Sequence, residues 1–129
     1  MNAPLQIPRW YAVDLDSTLA VSESHGMPSD GSIGEPVAAV VERVKELLAQ
    51  GQIVRIFTAR VWPRHTDQEL KYTQRYLQAL EQEFQIREWS RQLFGQTLEV
   101  TCIKDPGVLE IWDDKARQVE PNTGRFLSD

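Results

Sequence analysis

Cysteine occurs once in the 129 residues, at Cys102, so no intramolecular disulfide can staple this chain. Its fold must rest on a hydrophobic core, and an apolar content of 41% is enough for one. No apolar run approaches the roughly 20 residues that a membrane-spanning helix needs. No basic stretch leading into an apolar one opens the chain. With the single cysteine, this gives the expectation of a reducing cytoplasm. Histidine is almost as scarce. His25 and His65 lie in different loops without a third partner at zinc spacing, and read as solvated residues. Basic charge is in deficit, 14 Lys and Arg against 19 Asp and Glu, a net charge of −5. That argues against broad binding of nucleic acid, though a nucleotide or a nucleic-acid end is still admissible as a substrate. There is no internal repeat and no low-complexity tract. The length fits one domain, residues 9–129, after an arm at 1–8 that carries two prolines.

Against this plain background stands Asp14-Leu15-Asp16-Ser17-Thr18-Leu19. Two carboxylates sit one residue apart, directly after the apolar run Trp10-Tyr11-Ala12-Val13. Residues i and i+2 of a strand point the same way, so Asp14 and Asp16 are expected to converge. Converging carboxylates are costly without a proton or a cation between them.

The rest of the chain alternates apolar strands with helical patterns. Residues 9–14 read as a strand, and 20–35 as a loop rich in Ser, Gly and Pro. Pro36 is expected to open a helix, because proline tolerates the first helical turn. Val37, Val40, Val41, Val44, Leu47 and Leu48 follow helical spacing up to Gly51. The run at 53–58 has the continuous apolar character of a buried parallel strand. A helix over 66–84 is expected, capped by Thr66 with Glu69 three residues on, its inner face made of Leu70, Thr73, Leu77, Leu80 and Phe84. Trp89, Leu93 and Phe94 suggest a separate short helix ending at Gly95. Strands at 98–103 and 108–112 follow, and a turn at 121–124 closes the chain. Strand, helix, strand is a βαβ unit, so the class is α/β.

Each expected strand ends in a reactive polar residue: Asp14 and Asp16, then Thr58 and Arg60, then Lys104, then Asp113 and Asp114. Ligands of open α/β sheets bind outside the carboxyl ends of the strands. Carboxylates, a hydroxyl and an ammonium meeting there suit phosphoryl transfer. The carboxylates hold Mg²⁺, and the hydroxyl and ammonium offset charge on the transferring oxygens.

These residues resemble the haloacid dehalogenase superfamily of aspartate-dependent phosphatases. Asp14-Leu15-Asp16-Ser17-Thr18-Leu19 is similar to its first motif, Ile56-Phe57-Thr58 to its second, Lys104 to its third, and Ile111-Trp112-Asp113-Asp114 to its fourth. The resemblance implies a Rossmann-like three-layer sandwich with a mainly parallel sheet. It implies a Mg²⁺-dependent phosphomonoester hydrolase in which Asp14 attacks phosphorus and Asp16 serves as general acid, then base. Thr58 would bond a phosphate oxygen and Lys104 would neutralise Asp14. Asp14, Asp16 (through its carbonyl), Asp113 and Asp114 would serve the metal, with Asp114 the direct ligand of the last pair. The substrate is expected against Ser17, Thr18, Thr58, Ala59 and Arg60. Loop 20–35 is the only insertion after the first motif, so the cap is minimal and the open site suits nucleotides, nucleic-acid ends or other bulky phosphoesters.

Two positions depart from the pattern. Ser17 stands where glycine is commonest. Only four residues separate Lys104 from Leu109, too few for a helical crossover, which takes about a dozen or more. Lys115 and Arg60 are the reserve cations. A phosphate-accepting regulatory module, or a non-catalytic protein with the same carboxylates, is the alternative. Receivers place the acceptor Asp on the third strand, ahead of Thr and Lys, and that order is absent here. Cys102 reads as a core residue, and Trp10, Trp89 and Trp112 as packing. Trp62, beside Pro63, reads as a rim residue able to meet substrate.

Overall fold

The computed structural model describes residues 6–23, 26–62 and 73–127. The elements run β1 (Trp10–Val13), α1 (Ala38–Ala49), β2 (Ile53–Phe57), a 3-10 turn (Ala59–Val61), α2 (Gln74–Phe94), β3 (Glu99–Thr101) and β4 (Val108–Trp112). The four strands form one sheet in the order β3-β2-β1-β4, and every neighbouring pair is parallel. The α/β class and the parallel sheet are as the sequence led us to expect. No helix among the described residues is long and apolar enough to cross a membrane.

Chirality explains where the layers lie. The steps from β1 to β2 and from β2 to β3 go the same way across the sheet. Right-handed crossovers therefore put α1 and α2 on one face. Val13, Val54, Ile56 and Val100 on that face form one core with Val41 and Val44 of α1 and Ile86 of α2. The step from β3 to β4 runs back past two strands, so a right-handed path crosses the other face. It does so as a link without a helix, residues 102–107, with a turn at 106–107. Thr101 to Val108 is seven residue steps, a reach of about 23 Å, against a diagonal of roughly 19 Å across three inter-strand spacings and back along the strands. This resolves the short spacing between Lys104 and Leu109. The described helices cover one face only, and the link lies on the opposite one. There Asp105 accepts from Trp10 Nε1 at 2.8 Å and from Arg55 Nη1 at 3.4 Å. The Arg55 guanidinium stacks 4.7 Å from the Trp10 ring centroid. Its Nε pairs with Glu99 at 3.1 Å without the alignment of a hydrogen bond. Gly107 is required by this crossing, since a Cβ there would lie 2.0 Å from the Pro8 carbonyl oxygen.

Three local expectations are corrected. Pro36 lies outside the helix: α1 starts at Ala38 with Val37 as N-cap, and Pro36 bridges Ala20 at the base of loop 20–35. Residues 74–94 form one 21-residue helix, not two. Thr73 caps it by accepting from Tyr76 N, and Gly95 ends it in the left-handed conformation at φ 75°. The intervening Gln85-Ile86-Arg87-Glu88 carries good helix formers, and buried Ile86 ties them to the core. The inner face of this helix is also different. Leu77 and Phe84 are 52% and 67% exposed, whereas Ala79, Ile86 and Ser90 are buried. Thr66, Glu69, Leu70, His25 and His65 lie outside the described residues.

Candidate active site

The β1–β4 ladder positions the first carboxylates. Asp14 N–H donates to the Trp112 carbonyl at 2.9 Å, one step past β1. Asp14 is thereby brought beside the residues that follow β4. The chain then turns tightly, because Leu15 and Leu19 are both fully buried under it. Leu19 N bonds the Leu15 carbonyl at 3.0 Å and Ser17 N the Ala20 carbonyl at 2.8 Å. Ser17 takes φ 70°, the left-handed region that favours glycine.

This turn separates the two carboxylates that the sequence led us to expect together. Asp14 joins Asp113 and Asp114, and one ligand oxygen from each lies within 4.8 Å of the others. Asp16 is not in that group. Thr18 ties the turn to β4's end: its Oγ1 accepts from Asp114 N at 3.2 Å and lies 3.5 Å from Asp114 Oδ1. Asp113 Oδ1 accepts from Lys115 N at 2.8 Å.

Burial and crowding act on the Asp14 carboxyl. The Asp14 carboxyl is pushed up from its ordinary 3.8 to about 7. Burial is the largest cause, followed by the Asp113 charge and a hydrogen bond shared with Asp114. At neutral pH the cluster therefore holds a proton part of the time, and a cation there would do the same work. The all-oxygen donor set suits a hard divalent cation such as Mg²⁺ rather than a soft one.

Asp16 faces the other way and meets Arg60, whose side chain is 1% exposed. The guanidinium grips both carboxylate oxygens, Nε to Oδ2 at 2.9 Å and Nη2 to Oδ1 at 2.7 Å. Its other donors reach the Gly31 carbonyl at 2.9 Å, the Ser32 carbonyl at 2.8 Å and Gln82 Oε1 at 2.8 Å. All five N–H donors of an arginine are thus placed. None is left for a substrate phosphate, so Arg60 braces Asp16, the loop and α2 instead of binding substrate directly. Sequence reasoning missed Gln82, Gly31 and Ser32 as its partners, and nothing in the pattern of the chain signals them.

Thr58 is buried. Its N–H continues the β2–β3 ladder to the Thr101 carbonyl at 2.9 Å, and its hydroxyl oxygen accepts from Arg60 N at 3.3 Å. Ala59 is exposed beside it. Lys104 is exposed on the link. Lys115, next to Asp114 in sequence, is exposed after β4. Cys102 packs against the core, with its thiol pushed up first by burial, as expected of a packing residue. Trp10 is fully buried, while Trp62 is 41% exposed and lines a cavity of about 910 Å³. Compared with protein-family models, with curated proteins and with solved structures, the chain matches none.

Proposed function

We propose that this chain is a phosphomonoester hydrolase of the haloacid dehalogenase type, dependent on a divalent cation. The observation that carries this reading is the meeting of Asp14, Asp113 and Asp114 at the ends of adjacent parallel strands. The strands are β1 and β4, where the winding of the sheet reverses, and ligands of open α/β sheets bind at such a switch point. A hard divalent cation, Mg²⁺ by the donor chemistry, would be held by these three carboxylates and would offset the negative charge of a phosphate facing Asp14.

The chain's own residues supply the rest. Asp14, once relieved of its proton, forms a bond to phosphorus as the ester oxygen leaves. Asp16 gives a proton to that oxygen, then takes one from the water that cleaves the aspartyl-phosphate and restores Asp14. For this Asp16 must release at least one oxygen from Arg60, so Arg60 sets when Asp16 can act. Thr58 keeps a hydroxyl proton for a phosphate oxygen. The Asp16–Arg60 grip also supports a second reading, a module that accepts phosphate on Asp14 and turns it over slowly.

Hydrolysis of para-nitrophenyl phosphate with Mg²⁺, abolished by Asp14→Asn, is the expected result. Inertness on a broad phosphoester panel with Mg²⁺, Mn²⁺ and Co²⁺ overturns the enzyme reading. A stable aspartyl-phosphate formed from acetyl phosphate with little turnover selects the second.

A further inference from the structure

We propose that Thr18 is a positioning residue for the divalent cation: its hydroxyl sets the place of Asp114 among the three carboxylates, and with it how tightly the ion is held. The role rests on the cation reading of the Asp14, Asp113 and Asp114 cluster and adds the residue that governs its affinity. The three carboxylates are not equally secured. Asp14 and Asp113 are half-buried, whereas Asp114 is exposed. Asp14 is fixed by the β1–β4 ladder through its N–H, and Asp113 closes a local turn onto Lys115 N at 2.8 Å. An exposed carboxylate keeps rotamer freedom that a bound ion must remove, and that cost falls on affinity. The tether of Asp114 comes from 96 positions away, across the join between β1 and β4. Asp114 N donates to Thr18 Oγ1 at 3.2 Å, and Thr18 Oγ1 lies 3.5 Å from Asp114 Oδ1. The second contact is long for two oxygens, so the first carries most of the tether.

Thr18 suits this work because of how it is itself held. Its turn starts at Asp14, so one short segment carries both a carboxylate of the cluster and the tether of another. Thr18 N donates to the Leu15 carbonyl at 3.3 Å, and Leu19 N to the Asp14 carbonyl at 3.2 Å. Leu15 and Leu19 anchor the turn, both fully buried. A branched Cβ restricts the Thr18 side chain further, so the hydroxyl has little freedom of its own. A hydroxyl has one proton and two lone pairs, which lets it accept from the Asp114 N–H and point its proton at Oδ1 together. Asp114 also shares a hydrogen bond with Asp14. A cation replacing the proton between those two carboxyls would leave the Thr18 contact intact on the outside. Partners of that kind, one bond removed from the ion, are worth about 10–100-fold in metal affinity. The exposure of Asp114 puts Thr18 at the lower end of that range.

Titration of the full chain with Mn²⁺, followed by the paramagnetic resonance of the free ion, tests this without requiring turnover. Mn²⁺ takes the same carboxylate and water ligands as Mg²⁺. Thr18→Val keeps the branched shape and removes the hydroxyl, and it should raise the Kd for Mn²⁺ about tenfold. Thr18→Ala, which fills no new space, should weaken the ion as much. Thr18→Ser restores the hydroxyl and should stay within about twofold of the wild type. In an Asp114→Asn background Thr18→Val should cost no more than about a further twofold, because the charge it positions is gone. Undiminished affinity in both variants lacking the hydroxyl overturns the proposal. So does a serine variant as weak as the valine one, or a loss in the Asp114→Asn background as large as in the wild type. Wild-type Mn²⁺ binding that is absent, or that Asp14→Asn leaves unchanged, overturns the cation reading of the cluster itself, and the role of Thr18 with it.

Discussion

Arg60 concentrates more of this site than any residue named from the motif pattern. Its partners Asp16, Gly31, Ser32 and Gln82 come from three separate segments. A buried pair is a weak source of net stability, but removing one partner strands the other. Arg60→Lys keeps the charge and loses the planar fork, so the bidentate grip on Asp16 cannot form. We expect Arg60→Lys to cost about 2–4 kcal/mol and Arg60→Ala about 3–5 kcal/mol, read by urea unfolding. Both variants should also speed proteolysis within loop 20–35, since the Arg60 bond to the Ser32 carbonyl is lost and the Gly31 carbonyl keeps only the longer one from Gln82 Nε2, 3.3 Å. A cost below about 0.5 kcal/mol for Arg60→Ala would mean that the brace does not hold the fold together. The sequence marked Arg60 only as a cation after a strand. Its partners lie 22 to 44 positions away, and no local pattern encodes such contacts.

The two helices differ in how far their packing could be read. In α1 the valines and leucines form one stripe, and periodicity alone assigned the buried face correctly, with Val41 and Val44 inside. In α2 apolar residues lie on two stripes, Leu77-Leu80-Phe84 and Ile86-Trp89-Leu93. The second goes with Ala79 and Ser90, small residues that hydropathy ranks low. Ser90 is buried for a polar reason: its hydroxyl donates to the Arg87 carbonyl at 2.7 Å and accepts from Leu98 N at 3.0 Å. That bond fixes where the chain enters β3. Mutational costs should follow the observed face. Ile86→Ala should lose about 2–5 kcal/mol by transfer and cavity terms. Leu77→Ala, on a side chain already 52% exposed, should lose under about 1 kcal/mol. Urea midpoints for the two variants decide it, and equal losses would restore the stripe inferred from the sequence.

At the scale of the whole molecule, parallel strands made it legible that the polar strand ends share one edge of the sheet. Which ends are neighbours depends on strand order, which no single segment encodes. Because β4 lies against β1, Asp113 and Asp114 reach Asp14. β3, whose exit carries Lys104, lies at the other edge of the sheet, with β2 between it and β1. The result is a concentration of like charge between two strands far apart in sequence, and the fold must bear it. The Asp14 carboxyl binds its proton more tightly in the folded chain, at about 7 against 3.8. Its contribution to stability is therefore complete below about pH 4 and is lost as the pH rises through about 7. A divalent cation among the three carboxylates competes with that proton, so its stabilising effect should grow as the pH rises. Thermal unfolding without divalent ions should show a melting temperature that falls between about pH 5.5 and pH 8. Millimolar Mg²⁺ should raise it clearly at the higher pH and little at the lower. Asp14→Asn removes both the titrating group and a ligand, so it should flatten the pH slope and shrink the Mg²⁺ increment together. Equal Mg²⁺ increments at both pH values, or an increment undiminished in Asp14→Asn, would show that the cation binds elsewhere and that the cluster is only a solvated acidic edge.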